Sequence, residues 1–207
     1  MSEYSPRSFR LLPTGVKHLL IINVLFFLAM LVFRSFSDPT MLGYYDRYLA
    51  LYPIGSGYFR PWQLITYMFV HANFDHIFFN MFALWMFGYV LENYWGTLRF
   101  VIYYMLCGIG AGITCLLIGL PTVGASGAVY GILLAFGMMF PNEYIYLYFL
   151  VPIKAKWFVI IFGAIELFDG FFRTADGIAH FAHLGGMLTG FIILMIYRWQ
   201  SKKKIRY

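Results

Sequence analysis

The sequence predicts an all-α polytopic membrane protein, one bundle of six transmembrane helices, and three observations carry that expectation. Of its 207 residues 61% are hydrophobic and only 12% charged, a balance too apolar for a water-soluble domain of this length. The apolar residues form long runs, with no alternation of the kind a half-solvated sheet would need. The basic residues are distributed unequally over the segments between those runs, as membrane orientation requires.

A spanning helix needs about 20 mainly apolar residues. Six runs qualify as candidates: Val16 to Phe33, Phe74 to Leu91, Phe100 to Leu120, Ser126 to Phe140, Trp157 to Phe168 and Ile178 to Trp199. The fourth and fifth fall short of a full crossing and need turns from their flanks or a locally thin bilayer. The first is read as a retained helix, because Arg7, Arg10 and Lys17 precede it and no small-residue cleavage site follows it. The chain is thus expected to be one membrane domain over residues 1–207, with a cytoplasmic segment at 1–15 and a basic cytoplasmic tail at 199–207.

Six crossings put both termini on one side. Arg7, Arg10, Lys17, Arg99, Lys154, Lys156, Arg198, Lys202, Lys203, Lys204 and Arg206 share that side, and Arg34, Arg47, Arg60 and Arg173 face the other. Positive charge stays inside, so both termini are expected in the cytoplasm. The net charge of +6 is then juxtamembrane charge able to touch anionic lipid heads, and a nucleic-acid role is excluded. A minimal chain of this kind is expected in a bacterial plasma (inner) membrane.

Between Arg34 and Arg60, Asp38-Pro39, Gly43, Pro53 and Gly55-Ser56-Gly57 read as helix breakers. Tyr44, Tyr45, Tyr48, Leu51 and Tyr52 make the same stretch an outer loop partly embedded at the interface. The connection from Pro141 to Lys154 is itself apolar and reads as an interfacial or extended segment. Cys107 and Cys115 stand eight residues apart on one predicted helix, too far along its axis to bridge, and are expected to be buried packing residues.

Polar groups at membrane depth are costly and are kept for function. Those within the apolar runs are His71, Asp75, His76 and Asn80 near the second helix, Ser126 and Tyr130 in the fourth, Glu166 and Asp169 ending the fifth, and His180 and His183 in the sixth. The second, fourth and sixth helices all start on the outer side. They therefore deliver His76 with Asn80, Ser126 with Tyr130, and His183 to one half of the bundle, each pair four residues apart and so on one helix face.

Gly124 and Gly127 let the backbone turn tightly and present Ser126 at a helix start. Gly186 and Gly190 form a GxxxG stripe, and if its partner is the helix carrying Gly127 and Gly131, Ser126 and His183 come within hydrogen-bond reach. A serine hydroxyl is a weak nucleophile until a base takes its proton, and histidine suits that task near neutrality. The Ser126 N–H, the Asn80 amide and the His76 imidazole are candidate donors to a developing oxyanion.

No carboxylate is expected to orient His183. Asp169 and Asp176 fall in or near the preceding loop, so Tyr130, stacked on the imidazole, is the expected orienting group. Glu166 and Asp169 read as solvated anchors near the outer interface, Glu92 as a helix-terminus partner for Arg99, and His180 as a cavity-wall histidine. His71 and His76 are five apart on different helix faces and no HExxH is present, so neither metal nor other cofactor is expected.

Together these residues resemble the rhomboid family of intramembrane serine proteases. The resemblance is carried by His71-Ala-Asn-Phe-Asp-His76-Ile-Phe-Phe-Asn80, Gly124-Ala125-Ser126-Gly127, Tyr130 and His183-Leu-Gly-Gly-Met-Leu-Thr-Gly190, in that order, within about Arg60 to Tyr197. Each piece is weak alone, and the ordered combination is specific. It implies a six-helix rhomboid-like bundle in which Ser126 is the nucleophile, His183 the base and then the acid, and His76, Asn80 and the Ser126 backbone the oxyanion site. It further implies that His71 braces a loop by hydrogen bonding, that Gly186 and Gly190 are the close-packing pair, and that water reaches a cavity below the membrane surface. The substrates it implies are transmembrane segments of other membrane proteins, unwound near the outer side and entering beside the fifth helix.

One departure is Trp62-Gln63, where many relatives carry Trp-Arg, and it concerns loop anchoring instead of chemistry. A soluble α/β-hydrolase is opposed by Gly-Ala-Ser-Gly-Ala, which lacks the last glycine of that fold's nucleophile elbow. Two other classes compete: a catalytically inactive relative that holds membrane clients, opposed by the presence of both Ser126 and His183, and a small transporter using His and Glu as relays.

Overall fold

A computed structural model of the chain describes residues 9–35, 39–147, 150–172 and 179–204. Arg7, Arg173, Asp176, Ile178 and Arg206 lie outside the described residues. Eight α-helices are found among those described: α1 (Thr14–Ser35), α2 (Pro39–Leu49), α3 (Gln63–Thr66), α4 (Phe74–Trp95), α5 (Thr97–Ile118), α6 (Ser126–Met139), α7 (Ala155–Phe172) and α8 (His180–Lys204).

By length and composition α1, α4, α5 and α8 can each cross a membrane, and α6 is a shorter apolar helix of 14 residues. Helix α7 has 18 residues but carries Lys156, Glu166 and Asp169. The helices turn large apolar side chains outward, among them Leu25, Leu28, Leu117, Phe168 and Phe171, a surface that only lipid can cover at this scale. The protein is an integral membrane protein. Polar side chains are gathered inside instead: Asn23, Gln63, His71, Asn80, Glu92, Glu166, His180 and His183 are all buried.

Helix α6 stands at the centre, in contact with α4, α5, α7 and α8. Small residues permit this. A Cβ added to Gly186 would collide with the carbonyl oxygen of Gly127, and one added to Gly127 would collide with the Cβ of Ala111 on α5. Backbones that close draw their attraction from dispersion and not from any apolar drive. Gly190 departs from expectation: it faces Tyr103 and Cys107 of α5 instead of α6. Four residues advance about 40° around a helix, so one glycine stripe on α8 serves two neighbours in turn.

The segment read as a broken loop contains a helix. Pro39 opens α2 at the position where a missing N–H costs nothing and a fixed φ helps. The rest of the loop is held by Gln63, which is 0% exposed. Its Nε2 donates to the carbonyls of Arg47 (2.7 Å) and Tyr58 (3.1 Å), while its Oε1 accepts from the backbone N–H groups of Arg60 (3.1 Å) and Tyr52 (3.4 Å). Leu51 then pairs with Thr122 through two backbone hydrogen bonds of 3.0 and 2.9 Å.

Within the 141–154 connection, β1 (Tyr144–Leu147) and β2 (Val151–Lys154) are extended and pair antiparallel, with Tyr144 opposite Lys154. Cys107 and Cys115 are buried and free. Glu92 does cap a helix terminus, but that of α1 and not through Arg99. Its carboxylate accepts from the N–H groups of Gly15 and Val16, each at 2.7 Å, and from Thr97 Oγ1 at 2.6 Å, placing negative charge where a helix N-terminus is positive.

Candidate active site

Ser126 is the first residue of α6, and the turn before it depends on Gly124. That residue has φ of +117°, a conformation L side chains rarely adopt, and a Cβ there would lie 2.6 Å from His76 Nε2. Its N–H is tied to the carbonyl of Tyr67 at 2.8 Å. The serine hydroxyl is thereby set at a helix start, where N–H groups lack intrahelical acceptors.

Ser126 Oγ lies 2.8 Å from Nε2 of His183, a residue on the first turn of α8. Tyr130, one turn further along α6, stacks on the His183 ring with centroids 4.3 Å apart and planes 6° from parallel. Ser126, His183 and Tyr130 therefore meet between α6 and α8.

His76 faces the same place from α4. The Asn73 side chain caps that helix by accepting from the His76 N–H at 2.8 Å. Nδ1 of His76 accepts from the Ala72 N–H at 3.3 Å, so the ring proton sits on Nε2, the nitrogen turned toward Gly124 and the serine. Asn80 is buried, and its Nδ2 donates to the His76 carbonyl at 2.8 Å, leaving one amide proton for another acceptor.

His71 differs from expectation. It is 1% exposed, and neither ring nitrogen has a partner within hydrogen-bond geometry. It packs edge-on against His76 with ring centroids 5.0 Å apart. Burial, with the neighbouring His76 second, lowers its pKa to about 3, so the ring is a neutral packing element.

The larger correction concerns Glu166, which is no solvated anchor. It is 6% exposed and its carboxylate faces inward from α7. Oε1 accepts from the Tyr130 hydroxyl, and Oε2 lies 2.8 Å from His183 Nδ1 and 2.7 Å from His180 Nδ1. A signal for this existed in the sequence: a carboxylate inside an apolar run must find partners. Asp169, three residues on, is only half-buried, and Asp75 is exposed.

Glu166, His180 and His183 are the one grouping among the described residues with metal-ligand chemistry, their donor atoms lying within 4.8 Å of one another. Tetrahedral zinc with bonds of about 2.0 Å would hold its donors roughly 3.3 Å apart. The 2.7 and 2.8 Å separations are those of hydrogen bonds.

Ser126 borders two spaces that differ in how many polar groups line them. One, of about 690 Å³, has a mixed lining, with Arg34, Asp46, His76 and His183 among apolar residues such as Met30, Val70 and Val123. The other, of about 590 Å³, runs between α4, α6 and α7 and is lined by Phe78, Phe82, Phe87, Phe158 and Phe162. A hydroxyl paired with an imidazole and flanked by a ring N–H donor is equipped for acyl transfer.

Comparison with known proteins gives the family. The family model described as Rhomboid domain matches residues 58–200. The chain is 37% identical over 146 residues to RHOMBOID-like protein 6, mitochondrial, of Arabidopsis thaliana, covering 69% of this chain and 46% of that protein. It is 34% identical over 132 residues to rhomboid protease GluP of Bacillus subtilis, covering 63% and 25%. It is 30% identical over 161 residues to putative rhomboid protease YdcA of the same organism, covering 75% and 76%. Against the Arabidopsis proteins RHOMBOID-like 6, 1 and 2, the matched region spans less than half of the relative, at 46%, 34% and 46%.

Proposed function

The chain belongs to the rhomboid family, and from that membership we propose that it is an intramembrane serine endopeptidase cutting transmembrane segments of other membrane proteins. The observation that carries the reading is the 2.8 Å approach of Ser126 Oγ to His183 Nε2, made between residues 57 apart on separate helices. Setting a part-buried hydroxyl against a buried imidazole has no packing advantage over two apolar side chains.

In this reading Ser126 Oγ bonds to the substrate carbonyl carbon while its proton passes to His183 Nε2. The carbonyl electrons move onto oxygen, where His76 Nε2–H, the Ser126 N–H and the second Asn80 amide proton are the donors. The imidazolium returns its proton to the amide nitrogen, the C–N bond breaks, and one product leaves as an amine. Water, giving one proton to His183, then bonds to the ester carbon, and the imidazolium passes that proton to Ser126 Oγ as the C–O bond breaks, releasing the acid product and restoring the serine. No cofactor takes part.

The two spaces beside Ser126 suit the two reactants in this reading, the one holding Arg34, Asp46 and His76 supplying water and the phenylalanine-lined one admitting an apolar chain beside α7. A membrane helix keeps its backbone bonds satisfied, so substrates with Gly or Pro near the cut unwind most readily. In the same proposal α6 and α7 complete six crossings, both termini are cytoplasmic, and the host membrane is a bacterial plasma membrane.

The test uses the purified protein in liposomes with a tagged single-span reporter. Cleavage by the wild type that disappears in Ser126→Ala and in His183→Ala is expected. Cleavage persisting in both variants removes the mechanism, and a folded wild type that binds the reporter without cutting it favours a client-holding relative.

A further inference from the structure

Three hydrogen-bonding groups converge on the Glu166 carboxylate. Tyr130 of α6 donates to Oε1, and the Nδ1 atoms of His180 and His183 on α8 converge on Oε2 at 2.7 and 2.8 Å. An ionised carboxylate accepts hydrogen bonds and donates none. Each imidazole nitrogen that faces it therefore carries a proton.

For His183 this decides the tautomer. With the proton on Nδ1, Nε2 keeps its lone pair, and that lone pair is the one 2.8 Å from the Ser126 hydroxyl. The Tyr130 ring lying flat on the imidazole limits tilting, and the Tyr130 hydroxyl holds the carboxylate from the other side. The groups facing this cluster are Ser126 and Tyr130 from α6, His180 from α8 itself, Glu166 from α7 and His76 from α4. Glu166 is the acid among them.

We propose that Glu166 is a positioning residue for Ser126 and His183: it fixes His183 in the Nδ1–H tautomer and stabilises the imidazolium that forms when Nε2 takes the serine proton. His180 and Tyr130 supply the hydrogen bonds that aim the carboxylate. The proton travels only between Ser126 and His183, and Glu166 remains ionised throughout. This inference rests on the proteolytic reading of the Ser126–His183 pair, and it replaces a two-residue apparatus with one backed by an acid from a third helix. A carboxylate in this place governs tautomer and charge together, which is why loss of such a group elsewhere lowers rates by about 10⁴ with geometry intact.

The experiment measures phosphonylation of Ser126 by a fluorophosphonate in detergent micelles, separating the maximal rate from the probe's half-saturation concentration. The step forms the Oγ–P bond, expels fluoride and passes the serine proton to His183. Glu166→Gln is expected to slow the maximal rate by about 10² to 10⁴ with half-saturation unchanged, while Glu166→Asp, which keeps the charge, recovers at least tenfold of that loss. Equal slowing in the two variants, or no slowing in Glu166→Gln, overturns the proposal.

A second measurement is independent of variant folding. Nitrogen-15 spectra of histidine-labelled wild type, assigned with His183→Ala, should show His183 protonated on Nδ1 and bare on Nε2, and the reverse tautomer overturns the proposal. If wild-type Ser126 is not labelled at all, the proteolytic reading falls, and the tautomer alone decides the role of Glu166.

Discussion

The Cα of Gly186 rests against the carbonyl oxygen of Gly127 with no space between them for a methyl group. Both glycines sit within a turn of the reacting groups, Ser126 preceding one by a single residue and His183 the other by three. Gly186→Ala must push α8 from α6, because backbone cannot rotate away as a side chain can. We expect a loss of about 1–3 kcal/mol in unfolding free energy and at least tenfold slower labelling of Ser126 by a fluorophosphonate in the protein that remains folded. Gly55→Ala, where an added Cβ meets nothing within 4 Å, is the matched control and should change neither measurement.

His76 and Asn80 should separate in their effects on reporter cleavage. His76 presents its ring N–H toward Gly124 and the serine, so His76→Ala is expected to lower the cleavage rate by about 10² to 10³, the usual cost of one oxyanion donor. Asn80 already donates to the His76 carbonyl, and Asn80→Ala should cost less. Steady-state cleavage with both variants, normalised to folded protein, makes the comparison.

Gln63 tests how the 47–60 loop is held. Gln63→Leu leaves the carbonyls of Arg47 and Tyr58 and two backbone N–H groups without their partner. A lowering of stability of about 1–3 kcal/mol is expected, measured by thermal or denaturant unfolding in detergent, along with faster proteolytic nicking between residues 47 and 60.

His71 gives a pH dependence with a definite sign. Its pKa is lowered in the folded protein from 6.5 to about 3, first by burial, so the unfolded chain binds the extra proton. Stability from this residue is whole above pH 6.5 and is lost as pH falls toward 3, by about 1.4 kcal/mol per pH unit. His71→Phe keeps the ring volume and should flatten that slope in unfolding midpoints taken between pH 4 and 7, and an unchanged slope would remove His71 as its source.

The residues that meet at Ser126 were legible because they are written locally. Spacings of four put His76 beside Asn80 and Ser126 beside Tyr130, and the small residues of α8 and α6 announce a close crossing. Glu166 was not legible in the same way. Its partners stand 36, 14 and 17 residues away on two other helices, and no helical period links those numbers. What the sequence did contain was the cost of a carboxylate in an apolar run, which demands partners without naming them. Helix α2 was hidden for the opposite reason: Pro39 was weighed as a breaker when its place at a helix start makes it an opener. Gly190 shows a third limit, since a stripe of small residues tells that helices come close but not how many neighbours share it.

The paired backbone bonds between Leu51 and Thr122 join the outer loop to the chain two residues ahead of Gly124. Any molecule that lifts the loop off its Gln63 mooring tugs on the peptide that aims the serine. An antibody or small compound seated on that loop is therefore expected to disarm the hydroxyl without ever entering the cavity, which makes the loop the place to search for remote inhibitors.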